Sequence, residues 1–153
     1  MRMLISGSVA AVASTLALVW LGRRELNDAA APVNGPSQWI WGRSAPYQDG
    51  FSARHTLVGY GIHHSASMLW AALYERLRRA MPGGPRQAAL AAAATAAATA
   101  YVVDFKLTPE RFTPGYEKRL SKRGLYAVYA AFALGLAVPA LVAPPLRRDI
   151  LIE

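Results

Sequence analysis

The sequence predicts an all-α fold: an integral membrane four-helix bundle with two long surface connectors. Three observations lead there. Hydrophobic residues make up 54% of the chain and charged ones 17%, and the charges gather between long runs that contain none, the pattern of membrane spans joined by polar loops. Four apolar runs recur, at about 3–21, 55–77 (charged only at its Glu75-Arg76 end), 87–103 and 124–142, each near the ~20 residues a helix needs to cross roughly 30 Å of hydrocarbon. Finally, 153 residues suffice for one compact unit but not for two ordinary domains, so 1–153 reads as a single transmembrane domain.

Composition narrows the chemistry. There are no cysteines, which excludes disulfides, thiolate catalysis and cysteine-ligated metals. The net charge of +8 invites a nucleic-acid reading, but the basic residues lie beside apolar runs, where they anchor helix ends and meet anionic lipid. No groove-reading motif accompanies them. The expected partner is therefore the bilayer, together with other membrane subunits or further copies of the chain, and no nucleic acid.

Residues 3–21, MLISGSVAAVASTLALVWL, are closed by Gly22-Arg23-Arg24-Glu25. The run is too long for the core of a signal peptide, and charges separate it from Ala29-Ala30-Ala31, so a retained span is expected. Residues 27–54 form a connector in which Pro32, Gly35, Pro36 and Pro46 interrupt any long helix. Its Trp39, Trp41, Tyr47 and Phe51 suit the headgroup level, so it reads as a loop, with at most a short interfacial helix, on the membrane surface; a lid or docking loop is the functional alternative.

The second run, HTLVGYGIHHSASMLWAALYERL, carries adjacent histidines, His63 and His64, near its middle. The turn Met81-Pro82-Gly83-Gly84-Pro85 is short enough to make the second and third spans antiparallel neighbours, with Pro85 opening the next helix. Residues 87–103 are almost all alanine, broken by Thr95 and Thr99. This is a strong helix former with a small surface, expected as an inner helix making close contact with the second. Residues 104–123 hold two Thr-Pro steps, Thr108-Pro109 and Thr113-Pro114, each read as a cap followed by a proline at the first helical position, hence two short surface turns. The last run, 124–142, carries Tyr126 and Tyr129 early and Pro139 late, and is followed by Pro144-Pro145 and a short polar tail.

The candidate midplane polar site is His63, His64, Ser67 and Thr95. The histidines start about eight residues inside their span, roughly 12 Å deep, where an ionisable group is a functional candidate by default. Adjacent helical residues point about 100° apart, so the pair does not readily share a metal. The His63 face continues through Thr56, Gly59, Ser67, Trp70 and Tyr74 and should turn inward; the His64 face runs through Leu57, Tyr60, Gly61, Met68 and Ala71 towards Glu75. Neutral histidines hydrogen-bonded across helices are the plainest account, and proton or solute transport through them is the alternative. Bis-histidine haem needs a second histidine-bearing helix from a partner or a dimer, so no cofactor is predicted. His55 and Asp104 form a candidate interfacial site, thin as a metal ligand set. A Ser/His hydrolase is disfavoured, because no nucleophile elbow surrounds Ser65 or Ser67. Trp39, Trp41, Arg111, Tyr116, Lys118, Arg119, Lys122 and Arg123 compose an aromatic–basic set expected to contact lipid or a partner.

The segments APVNGPSQWIWG, RHTLVGYGIHHSASMLWAALYERL and VVDFKLTPERFTPGYEKRLS resemble a family of uncharacterised small four-span bacterial inner-membrane proteins. The likeness runs from Ala31 to Gly135. It implies a multi-pass location in the bacterial inner membrane and a unit built from both connectors and the histidine span. It implies no activity and no site residues. The resulting expectation is a non-enzymatic accessory or interaction subunit, with a small carrier and a haem- or quinone-associated redox subunit as alternatives.

Overall fold

The computed structural model describes residues 1–142. The Pro144-Pro145 step and the polar tail lie outside them. Every element among the described residues is helical. Four helices are long: α1 (Arg2–Leu21), α2 (Val58–Ala80), α3 (Pro85–Val102) and α4 (Lys122–Val142). With the π-helical turns that prolong them, Arg2–Leu26, Pro85–Leu107 and Lys122–Val142 are long and apolar enough to cross a membrane; α2 is not among them. Its two histidines and its Glu75-Arg76-Leu77-Arg78-Arg79 end lower its apolarity.

Each long helix packs against two others: α1 against α2 and α4, and α3 against the same pair. Neighbours run antiparallel, as Ser6 beside Glu75 and Ser14 beside His63 require of α1 and α2. The most extensive contact joins α1 to α4, and the α2–α3 contact expected to be the inner one is the smallest of the four. Glycine explains the first. A Cβ on Gly135 would sit 2.5 Å from the Ala10 Cα, so only hydrogen at that position allows the backbones to come so close.

α1 and α3 bury mainly small residues and turn most of their large apolar ones outward. In α1 the buried positions include Ser6, Gly7, Ala10, Ala11 and Ser14, while Leu4, Ile5, Val12, Leu16 and Trp20 are exposed. In α3 the buried stripe is Ala88, Ala89, Ala92, Ala93, Ala96, Ala97 and Ala100, with Leu90 and Val102 outside. A helix pair held by small residues with an apolar exterior is the arrangement suited to a hydrocarbon solvent; in water so much exposed apolar surface would be a liability.

The connectors depart most from expectation. Residues 31–41 form one nearly continuous helical stretch, Ala31–Asn34, Gly35–Ser37 and Gln38–Trp41. Its first eight residues are all buried, so it is a plug, not a loop resting on a surface. Proline at the start of two of these short turns supplies the fixed φ that opens them. α1 ends on Asn27 in the left-handed region at φ 56, which asparagine tolerates. The Asp28 carboxylate then accepts the Ala30 and Ala31 N–H groups at 2.8 and 3.2 Å, starting the plug. In the second connector, 3-10 turns follow both Thr-Pro steps, Glu110–Phe112 and Tyr116–Lys118. The threonines do not cap them: Thr113 Oγ1 instead donates to Glu117 Oε1 at 2.6 Å, and Gly115, at φ 85, makes the sharp approach.

Candidate functional site

The two connectors close over one end of the helices as a single cap. Gln38, fully buried, donates from Nε2 to the Thr113 carbonyl at 2.7 Å, and its Oε1 accepts from Lys118 Nζ at 3.1 Å. Asn34 Nδ2 donates to the Gln48 and Gly50 carbonyls while its Oδ1 accepts from Thr56 Oγ1 at 2.6 Å. A Cβ on Gly35 would lie 2.7 Å from the Tyr116 nitrogen, so the connectors meet backbone to backbone. Arg119 binds Asp49 at 2.8 Å and the Pro46 carbonyl at 3.2 Å. The Glu25 carboxylate accepts from the nitrogen and hydroxyl of Ser121 and ties the end of α1 to the start of α4. The Gly50 N–H, with those of Ala30 and Ala31, holds the Asp28 carboxyl below its ordinary value, because each stabilises the ionised form.

Beneath this cap lies a cavity of about 50 Å³. Since a water needs roughly 10–15 Å³ on this measure, the space suits a few waters or one small group. The helices contribute Ser14, His63, Ser67, Trp70, Asp104 and Tyr129, and the cap contributes Pro36, Trp39, Phe112, Pro114 and Tyr116. The wall carries two polar arms. In one, Ser14 Oγ gives its hydrogen to the Ala10 carbonyl at 2.7 Å, so at 2.8 Å it accepts from His63 Nε2. A neutral His63 then carries its acceptor lone pair on Nδ1. In the other, the Tyr116 hydroxyl approaches that of Tyr129 at 3.5 Å, and Tyr129 donates to Asp104 Oδ2 at 2.5 Å. The His63 and Tyr116 rings stand edge to face, 6.5 Å apart, linking the arms. Burial, reinforced by the Asp104 charge, raises the Tyr116 phenol far above its ordinary value, so it stays a neutral donor.

Of the residues singled out from the sequence, His63, Ser67 and Asp104 come together on this wall. The site is thus roofed by the connectors and not enclosed by helices alone, as a midplane site would be. Ser67 turns its hydroxyl back to the His63 carbonyl at 2.8 Å and offers the cavity little. His64 points elsewhere, towards Ser8 and Tyr60 at 3.5 and 3.3 Å. Thr95 is exposed on the outer side of α3 and takes no part. His55 lies at the same end as Asp104 but outside the wall; with the Ser37 hydrogen on the Asn34 carbonyl, its Nδ1 donates to Ser37 at 3.2 Å.

The aromatic–basic set divides. Tyr116 is buried in the cavity wall, and Lys118 and Arg119 are largely spent on contacts within the cap. Trp39, Trp41, Arg111, Lys122 and Arg123 remain exposed. Trp39 packs edge to face with Phe112 at 5.7 Å at the cavity rim, and Trp41 lies under the Arg54 guanidinium at 4.5 Å. Sequence reasoning passed over Ser14 and Tyr129 as partners of the histidine and the aspartate. Their helical spacing from other buried small or aromatic residues was visible, but the pairings join distant parts of the chain.

No group of three or more His, Cys, Asp or Glu able to hold a metal occurs among the described residues. Comparison of the chain with protein-family models, with curated proteins and with solved structures found no match.

Proposed function

We propose that this protein is a four-span integral membrane protein with a non-enzymatic, accessory role, presenting a rigid aromatic–basic platform at one membrane face. One observation carries the reading: the outward side of the interlocked cap exposes Trp39, Ile40, Trp41 and Phe51 beside Arg43, Arg54 and Arg111. Such a mixture suits the headgroup zone or the surface of a neighbouring subunit. Three helices of spanning length and the apolar exterior of α1, α3 and α4 support insertion. The less apolar α2 crosses in this reading because its polar groups are covered by α1: Ser14 meets His63, Ser8 meets His64 and Ser6 meets Glu75. The sequence likeness to small bacterial inner-membrane proteins is consistent with that location.

A small carrier is the second reading, favoured by the polar cavity. Against it, the cavity is followed towards the opposite end by a dry cluster that includes Ala10, Ala71, Ala92, Ala96, Phe132 and Leu136, which leaves no polar route through one copy. The haem- or quinone-associated reading still needs a histidine helix from a second chain, and no contact described above favours it.

The absence of native cysteine makes the test direct. Single cysteines at Asp49 and Gly83, labelled in sealed vesicles with an impermeant maleimide, should react from opposite sides, because α2 is the one long helix between them and crosses once in the spanning reading. Labelling of both from one side would overturn it. A photocrosslinker at Trp41 in native membranes then separates lipid adducts from adducts of subunit mass, and an absence of both would remove the platform role.

A further inference from the structure

We propose that the cavity beneath the cap is a binding site for a primary ammonium group, held by the Asp104 carboxylate among aromatic walls. The inference stands on the cavity alone and is independent of the accessory role.

The acceptors come first. Asp104 uses Oδ2 to accept from Tyr129, while its Oδ1 has no protein partner among the described residues. His63 Nε2 is occupied by Ser14, and its Nδ1 is likewise without one. The free capacity at Asp104 and His63 is therefore acceptor capacity, which calls for a ligand that donates.

Charge comes second. Of the 17 lysines and arginines in the chain, none among the described residues lines the cavity, and none of the four ion pairs there involves Asp104. Glu117, on the same turn as Tyr116, adds a carboxylate whose Oε2 is buried and also unpartnered. A half-buried carboxylate in an apolar wall gains from a cation; none of the described residues supplies one to Asp104, and a ligand can.

Shape comes third. Trp39, Trp70, Phe112 and Phe132 line the cavity together with Asp104, and a cation is drawn to the faces of aromatic rings. The volume of about 50 Å³ accepts an ammonium bearing one or two carbons and little more. The rim at Trp39 and Phe112 is partly exposed, so the group can arrive as a free small amine or as the headgroup of an aminophospholipid.

The test uses the full chain in mild detergent and reads the melting temperature with ethylammonium chloride, against sodium chloride at equal concentration. Ethylammonium should raise the wild-type value and sodium should not. Asp104→Asn retains an acceptor for Tyr129, so it should fold, and it should weaken amine binding about tenfold or more, since it removes a charge-assisted contact. His64→Gln alters a polar side chain outside the cavity and should keep binding; the amine-free melting temperature of Asp104→Asn guards against a folding defect in the first variant. Native mass from phosphatidylethanolamine and phosphatidylcholine nanodiscs assigns the source. Phosphatidylethanolamine retained by wild type but not by Asp104→Asn identifies the lipid headgroup; amine binding without that retention identifies a free amine. Neither response in folded wild-type protein, or equal responses in Asp104→Asn, overturns the proposal and leaves Asp104 as a structural acceptor for Tyr129 alone.

Discussion

The two ends of the molecule each hold an acid against the helices, Glu75 buried and Asp104 half-buried, and they treat it differently. At the end joined by the short turn, Glu75 lies within the helices with its charge answered: Arg78 stands 2.9 Å from Oε2, and Ser6 donates to Oε1 at 3.1 Å. At the capped end, Asp104 has a tyrosine hydroxyl and, among the described residues, no cation. The surroundings differ in the same sense. Glu75 borders a core of alanines with Tyr74 on one side and an open hollow carrying Arg76 and Arg79 on the other, whereas Asp104 faces a cavity roofed by prolines and aromatics of both connectors. A carboxylate paired in place is part of the scaffold; one left unanswered beside a cavity is a place where something else can bind.

Undoing the cap itself should have the largest effect. Gly35→Val puts a side chain where the Tyr116 nitrogen stands 2.7 Å from a mere Cβ, and should cost about 4 kcal/mol. Thermal unfolding in detergent, with protease cutting of both connectors, would register the roof lifting while the helices persist; an unchanged melting curve would mean that the connectors do not interlock there.

Next, Glu75→Gln strands the Arg78 guanidinium, whose side chain is only 16% exposed, and should cost about 3 kcal/mol. Removing both charges with Glu75→Leu and Arg78→Met should recover most of it. Asp104→Asn, by contrast, abandons no cation and should shift stability by about 1 kcal/mol or less. Equal losses at the two acids would erase the distinction between the ends.

The smallest effect concerns pH. Asp28 titrates below its ordinary value of 3.8 in the folded chain, chiefly because of the Gly50 N–H. A depressed folded pKa gives stability that is present above the unfolded value and lost as the pH falls through the folded one. Below about pH 4, wild type should therefore lose more stability than Asp28→Asn, as melting temperatures across an acid series would record.

Much of the helical framework was readable before any coordinates. The apolar runs marked the four long helices, and of the face of α2 expected to turn inward Gly59, Ser67 and Tyr74 are buried, but so are Ala71 and Glu75 of the His64 face. Adjacent placement on a helix already separated His63 from His64, and they do make different partners. The connectors were less readable, since proline- and glycine-rich composition describes a mobile surface loop and a buried plug equally well. What distinguishes them is whether each buried polar group finds a partner, and the partners of Asn34 and Gln38 lie in other segments.

By itself, then, the sequence determined helix, length and which faces carry small residues, because periodicity and apolar run length act within one segment. Only the tertiary structure decided that the connectors lock into a roof, that Ser14 answers His63, and that Asp104 is left without a cation among the described residues. Those outcomes depend on approaches between residues far apart in the chain, such as Gly35 to Tyr116 and Tyr129 to Asp104. Local pattern carries no record of such distances, and they follow from how the helices and connectors share the space between them.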